Sequence, residues 1–262
     1  MDMHVDGKTA VVTGASKGIG LAITQTLANA GAHVIAGART RTAELKELID
    51  AGRATFVAVD LTDPAAPAAL VAAAVERGGP DIVINNVGAA IPRPDGFTSI
   101  TDDDWDLTLT LGLMATVRTT RAAVPPMVEQ GSGVIVMVGS VNAFLPDPMV
   151  LDYSATKAAM TNFAKGLSKE LGPRGIRVNS VSPGPVTTDL WLGDSGIATT
   201  LSNTTGESPQ AIAASAVAAT PLGRFSTPQE VADLVMFLSS DHAANITGAD
   251  MTIDAGMIDT VR

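Results

Sequence analysis

Thr13-Gly14-Ala15-Ser16-Lys17-Gly18-Ile19-Gly20 is the stretch on which the reading of this chain turns. The apolar run Thr9 to Val12 leads into it, and a segment with helical periodicity over 18–30 leaves it. Glycines at 14, 18 and 20 allow a tight turn and close approach of a ligand to the backbone. The start of the following helix offers unpaired N–H groups and a positive dipole end, which suit a pyrophosphate. Glycines alone mark only a turn. Their place between a first strand and a first helix gives this cluster its meaning.

Outward from this loop, short apolar runs alternate with longer helical patterns. The runs are Thr9 to Val12, His33 to Ala38, Thr55 to Val59, Asp81 to Ile84, Gly133 to Val138, Arg177 to Val181 and Met251 to Ile253. They are rich in Val and Ile with little polar alternation, as strands buried on both faces are. Helices are predicted at 18–30, 41–51, 64–77, 102–130, 154–172 and 227–240. This alternation predicts an α/β fold with a parallel sheet and right-handed crossovers. No repeat or linker divides residues 1–262, so one domain is expected. Residues 189–220 are rich in Ala, Thr, Ser and Gly and hold no strand run. They are expected to form a lid at the strand ends, the alternative being a surface loop.

A chain of 262 residues with 46% hydrophobic residues can bury a core of that size. Its net charge of −10 argues against nucleic acid or an anionic membrane surface as a partner. There is no cysteine, which removes disulfides, thiolate catalysis and cysteine zinc sites. His4, His33 and His242 are scattered, and no metal site is expected. The first residues carry no basic segment followed by an apolar run, and no apolar stretch is long enough to span a bilayer. A soluble cytoplasmic protein is the expectation.

The second strand ends in Gly37-Ala38-Arg39-Thr40, with no acid to bind ribose hydroxyls. Arg39 can present a forked donor to a 2′-phosphate and Lys17 adds a second cation, so NADP(H) is expected over NAD(H). Asp60, after the third strand, is placed to meet an adenine; alternatively it caps the helix before Asp63-Pro64.

Tyr153 is the only tyrosine, and Lys157 follows four residues later. On a helix these share one face, so phenol and ammonium converge. Ser140 lies just beyond the fifth strand, where a parallel sheet presents its ligands.

These pieces, with Asn85-Asn86-Val87-Gly88, Pro183-Gly184-Pro185-Val186-Thr187-Thr188, Ile246-Thr247-Gly248 and Asp254-Ala255-Gly256, make the chain resemble the short-chain dehydrogenase/reductases over essentially its whole length. The resemblance implies a Rossmann-type, doubly wound, seven-stranded parallel sheet with helices on both faces, and a homotetramer or homodimer. It implies that Ser140 hydrogen-bonds a substrate carbonyl, that Tyr153 exchanges the proton, and that Lys157 holds the nicotinamide ribose and lowers the phenol's pKa. Gly14, Ser16, Lys17, Gly18, Ile19 and Gly20 would line the phosphates, with Asp60 and Leu61 at the adenine. Asn86 and Gly88 would support the sheet and admit the cofactor, and Pro183, Gly184, Val186 and Thr188 would hold the carboxamide. The implied activity is hydride transfer between NADP(H) and a carbonyl or secondary alcohol, by a carbonyl reductase or alcohol dehydrogenase.

Two residues depart from the family pattern. Val87 stands where alanine is usual. Counting seven residues from Trp105 reaches Gly112, where the family carries a proton-relay asparagine. The glycine has a packing reading, room for substrate or for a neighbouring helix, equal to the functional one. A catalytically silenced nucleotide sensor on the same fold is one alternative, and a cofactor-free lyase another. A 3-oxoacyl-carrier reductase is a third. The usual basic residues before the fifth strand are replaced by Glu129-Gln130-Gly131-Ser132, which counts against it, while Arg174 and Arg177 keep it open. No Lys or Arg occurs from Val178 to Gly223, so an uncharged ketone, aldehyde or secondary alcohol is expected as substrate. Asn142, Leu145, Leu151 and Trp191 are the candidate pocket residues.

Overall fold

The computed structural model describes residues 3–218 and 220–260. Its strands are β1 (Thr9–Thr13), β2 (His33–Ala38), β3 (Ala54–Ala58), β4 (Ile82–Asn85), β5 (Gly133–Val138), β6 (Ile176–Pro183) and β7 (Asp250–Ile253). They form one all-parallel sheet in the order β3-β2-β1-β4-β5-β6-β7.

Alternate residues of each central strand feed opposite cores. Ala10, Val12, Val34, Ala36, Ile82, Ile84, Val136 and Val138 pack into one apolar cluster. Val11, Ile35, Val83, Ile135 and Met137 pack into the other. The two-residue period of a strand puts neighbours on opposite faces, so burial of both faces requires apolar residues throughout. That is why the runs were legible without alternation.

The helices are α1 (Gly18–Asn29), α2 (Ala43–Asp50), α3 (Ala66–Val75), α4 (Asp102–Leu109), α5 (Ala115–Gln130), α6 (Leu151–Leu171), α7 (Asp189–Leu192), α8 (Ile197–Thr205), α9 (Pro209–Ala218) and α10 (Pro228–Ser239). Three differ from the sequence reading. The helix predicted over 102–130 is divided by a π-helical turn at Thr110–Met114. The helix predicted from 154 begins at Leu151, so Tyr153 lies inside its first turn. The segment 189–220 carries three short helices, α7 to α9, and its Ala219 lies outside the described residues.

The chain order reverses between β1, which continues to β2, and β4. At such a switch point the crossovers leave on opposite faces and open a crevice beyond the strand ends. The glycine loop after β1, the 85–88 turn after β4 and Ser140 beyond β5 all border it.

Candidate active site

The floor of the crevice is tied together by Thr13 and Asn86. Thr13 Oγ1 accepts the N–H groups of Asn86 at 2.9 Å and Val87 at 3.1 Å. Asn86 Nδ2 donates back to Thr13 O at 3.0 Å and Gly14 O at 3.3 Å. The ends of β1 and β4 are thus locked in register at the switch point. A Cβ on Gly20 would stand 2.1 Å from Gly14 O, so the turn closes only with glycine there. Thr42, the N-cap of α2, donates from Oγ1 to Ser16 O at 3.2 Å and braces the loop from outside.

Lys17 is the N-cap of α1, and no side chain caps that helix's first turn. Its leading N–H groups therefore remain available to an anion at the dipole's positive end. Lys17 and Arg39 are both exposed, and neither forms a salt bridge among the described residues. This cradle fits a dinucleotide: glycine-limited space, uncapped amides and two cations beside it.

Asp60 does not cap α3. Its Oδ1 accepts from Thr62 N at 3.0 Å and Thr62 Oγ1 at 2.9 Å, and these bonds, with Arg39 nearby, hold its pKa below the ordinary aspartate value. Leu61 is buried with Val59, Ala66 and Ala115, so its side chain is engaged in packing. Val186 is buried and bridges to Ser226. Pro183 closes β6, and Gly184 follows it against Asp254, whose Cβ would lie 2.9 Å from a Cβ at 184. Thr188 faces Gly18, its Cγ2 lying 3.4 Å from where a Cβ at 18 would stand.

Ser140, Tyr153 and Lys157 come together on the opposite wall. Lys157 is fully buried, donates from Nζ to Val138 O at 2.7 Å, and lies 5.5 Å from the Tyr153 ring centroid. A Cβ on Gly88 would stand 3.5 Å from that Nζ, so the backbone at 88 passes close to the ammonium. Burial lowers the Lys157 pKa to about 8. Burial pushes the Tyr153 phenol up, and its hydrogen bond with Ser140 pulls it partly back. Loss of hydration is thus the larger influence on the phenol here, and the Ser140 hydroxyl is the group that opposes it. Ser140 Oγ accepts Asn142 N–H at 3.1 Å, which fixes the hydroxyl at the mouth of the crevice.

Of the pocket candidates, Asn142 lies beside Ser140 and donates to Ser154 Oγ at 3.5 Å. Leu145 is half exposed and Leu151 opens α6. Trp191 stacks edge-on against Phe225, centroids 5.5 Å apart, so its ring is engaged in packing.

Two expectations are corrected. Arg177 is committed to structure, donating to Leu238 O at 2.8 Å and Ser240 O at 3.0 Å, so it is not a free cation for a carrier. His4 and His242 are not apart: their rings meet edge-on at 5.9 Å. No group of three or more His, Cys, Asp or Glu that could hold a metal occurs among the described residues. Gly112 is buried in the π-helical turn against Thr156, as its packing reading would have it. Sequence reasoning also missed Arg93, Asp104 and Asp152, which form a partly buried ion-pair network beside Tyr153. No local spacing signals it.

Comparison with known proteins agrees with this architecture. Residues 14–258 match the family described as enoyl-(acyl carrier protein) reductase. D-threitol dehydrogenase of Mycolicibacterium smegmatis is 37% identical over 266 residues, covering 97% of this chain and 94% of its own. The 3-oxoacyl-[acyl-carrier-protein] reductase of Thermotoga maritima is 33% identical, covering 98% and 100%. The solved structure of L-sorbose reductase from Gluconobacter frateurii, complexed with NADPH and L-sorbose, superposes with a TM-score of 0.90 at 34% identity, each chain fully covered. Among the described residues no helix is long and apolar enough to cross a membrane.

Proposed function

Because the chain belongs to the short-chain dehydrogenase/reductase family, we propose that it transfers a hydride between NADP(H) and an uncharged carbonyl or secondary alcohol, with Tyr153 as the acid and base. The observation that carries this reading is the meeting of Ser140, Tyr153 and Lys157 across the crevice from an uncapped glycine loop. The cofactor supplies the hydride when bound. The amides opening α1 hold its phosphates, Arg39 and Lys17 select the 2′-phosphate, and Lys157 holds the ribose at Gly88.

In the reductive direction Ser140 Oγ donates a hydrogen bond to the substrate oxygen. Tyr153 Oη then gives its proton to that oxygen as negative charge builds there. A phenol held above its ordinary value keeps its proton at neutral pH, which suits this role. For the oxidative direction the phenol must titrate about 3 pH units below its ordinary value, roughly 4 kcal/mol, and the raising effect of burial must be overcome as well. An ammonium about 4 Å away at an effective dielectric of 20 contributes on the order of 4 kcal/mol. Lys157, mostly protonated below its value of about 8, is the residue placed to do so.

The absence of Lys and Arg from Val178 to Gly223 supports an uncharged substrate. Exposed Leu190 and Leu192 on α7 support residues 189–220 as an apolar cover over it. A 3-oxoacyl-carrier substrate is the second reading, favoured by the Thermotoga relative and weakened by the commitment of Arg177. We also propose a homotetramer in the cytoplasm, testable by light scattering. The deciding experiment follows nicotinamide absorbance with NADPH and NADH against ketoses, polyols, simple ketones and 3-oxoacyl thioesters. Tight NADPH binding without turnover of any of them would favour the silenced sensor instead.

A further inference from the structure

We propose that Arg93 and Asp152 are positioning residues for Tyr153, a buried clasp that fixes the first turn of α6; this rests on the role given to Tyr153 above. The N-cap of α6, Val150, offers no side-chain bond, so the first-turn amides need partners from elsewhere. Asp152 is one: its Oδ1 accepts the Tyr153 N–H at 3.0 Å. Its Oδ2 accepts Arg93 Nη2 at 2.8 Å and Thr108 Oγ1, on α4, at 2.9 Å.

Arg93 then reaches further. Its Nη1 donates to Asp104 Oδ1 at 2.8 Å, and its own N–H donates to Met149 O at 2.7 Å, just before α6. Asp104 closes a capping box with Thr101 at the start of α4. One guanidinium therefore joins three segments: the loop after β4, the first turn of α4 and the first turn of α6. The Arg93 and Asp152 side chains are only 11% and 1% exposed, so solvent screens the pair little.

Stability alone is a poor reason for such a pair. A buried ion pair gains little over apolar residues of the same volume, and Arg93 Nε is buried with no hydrogen-bond partner. Its geometric consequence is more specific. Tyr153 sits in the first turn, where helices fray, whereas Lys157 is one turn deeper and anchored on Val138 O. The clasp holds the end of the helix that the Val138 anchor does not. It acts through position: the influences on the phenol's proton affinity are burial and Ser140, not the Asp152 charge.

Arg93→Met alone strands a buried carboxylate, so the decisive variant is the double Arg93→Met/Asp152→Asn, which removes both charges together. Misplacement of a reacting group by about 1 Å costs up to about a hundredfold, so kcat should fall at least about tenfold with KM and NADPH affinity near parental. Isotope-labelled tyrosine gives one magnetic-resonance signal, because Tyr153 is the only tyrosine, and that signal should shift or split. A folded double variant with an unmoved tyrosine signal overturns the proposal, as does one with parental kcat. If the parent turns over no carbonyl, the functional reading fails, while the tyrosine signal still decides the clasp.

Discussion

Thr156 Cγ2 occupies the space that any side chain at Gly112 would need: a Cβ built there would stand 2.5 Å from it. Thr156 is fully buried, and its hydroxyl donates to Asp152 O at 2.9 Å, so its methyl group is not free to turn away. Four residues earlier on each helix, Thr108 Oγ1 donates to Asp152 Oδ2 at 2.9 Å. The α4–α5 helix and α6 thus touch at two successive rungs, and the lower one requires a residue with no side chain. Where the family places an asparagine, this chain has a helix contact.

Gly112→Ala is expected to destabilise the protein. Overpacking costs about 1–3 kcal/mol, against a helix-propensity gain of about 1 kcal/mol. In a Thr156→Ser background, which removes the opposing methyl group, the same change should cost less. Urea unfolding of the four proteins measures the coupling. Equal stability of Gly112→Ala and the parent would show that the contact is not what keeps glycine there, and Gly112→Asn would then be worth assaying as a restored relay.

Tyr153→Phe removes the titrating hydroxyl and leaves the ring. Turnover should fall by at least the roughly 10²–10⁴ of general acid–base catalysis. NADPH affinity, measured by fluorescence or calorimetry, should hold. Near-parental kcat would remove Tyr153 from the chemistry.

Arg39 should carry the preference for NADP(H). A charge-assisted bond to phosphate contributes about 1.5–3 kcal/mol. Ala38→Asp with Arg39→Ser places an acid at the end of β2 and takes away the fork, so preference should move to NAD(H). Titration of both cofactors into parent and variant tests this, and equal parental affinities would count against the assignment.

Lys157 should make stability depend on pH in a definite direction. Its value falls from 10.5 in a free chain to about 8 in the folded one, so between these values the unfolded chain holds more protons. Stability contributed by this site is therefore lowest below about pH 8 and recovers as pH rises toward 10.5. Replacing it by an uncharged side chain, Lys157→Met, should stabilise the apoprotein at pH 7 by up to about 3 kcal/mol. The gain should shrink above pH 8. Urea midpoints of parent and variant across pH measure it, and a difference that does not vary with pH would contradict the burial cost.

Much of this protein was legible locally. The central strands stood out because both of their faces are buried, which leaves runs rich in Val, Ile and Ala; the edge strands β3 and β7 are only partly covered and carry a weaker signal. The loop from Thr13 to Gly20 was readable because a tight turn into a helix needs glycine where Gly14 O lies 2.1 Å from a would-be Cβ. Tyr153 and Lys157 showed themselves through one helical turn. All of these constraints act over a few consecutive residues.

Packing decided the rest. Arg93 meets Asp152 across 59 residues of sequence, and Arg177 is spent on Leu238 O, 61 residues on. Residues 189–220 hide three helices because Ala, Thr and Ser carry little hydrophobic period. Gly112 is easily counted from Trp105 and allows a relay or a packing reading, but only the fold puts Thr156 beside it. A sequence records which residues can share a turn or a strand face. Which helix leans on which, and what their contact leaves room for, is a property of the assembled core.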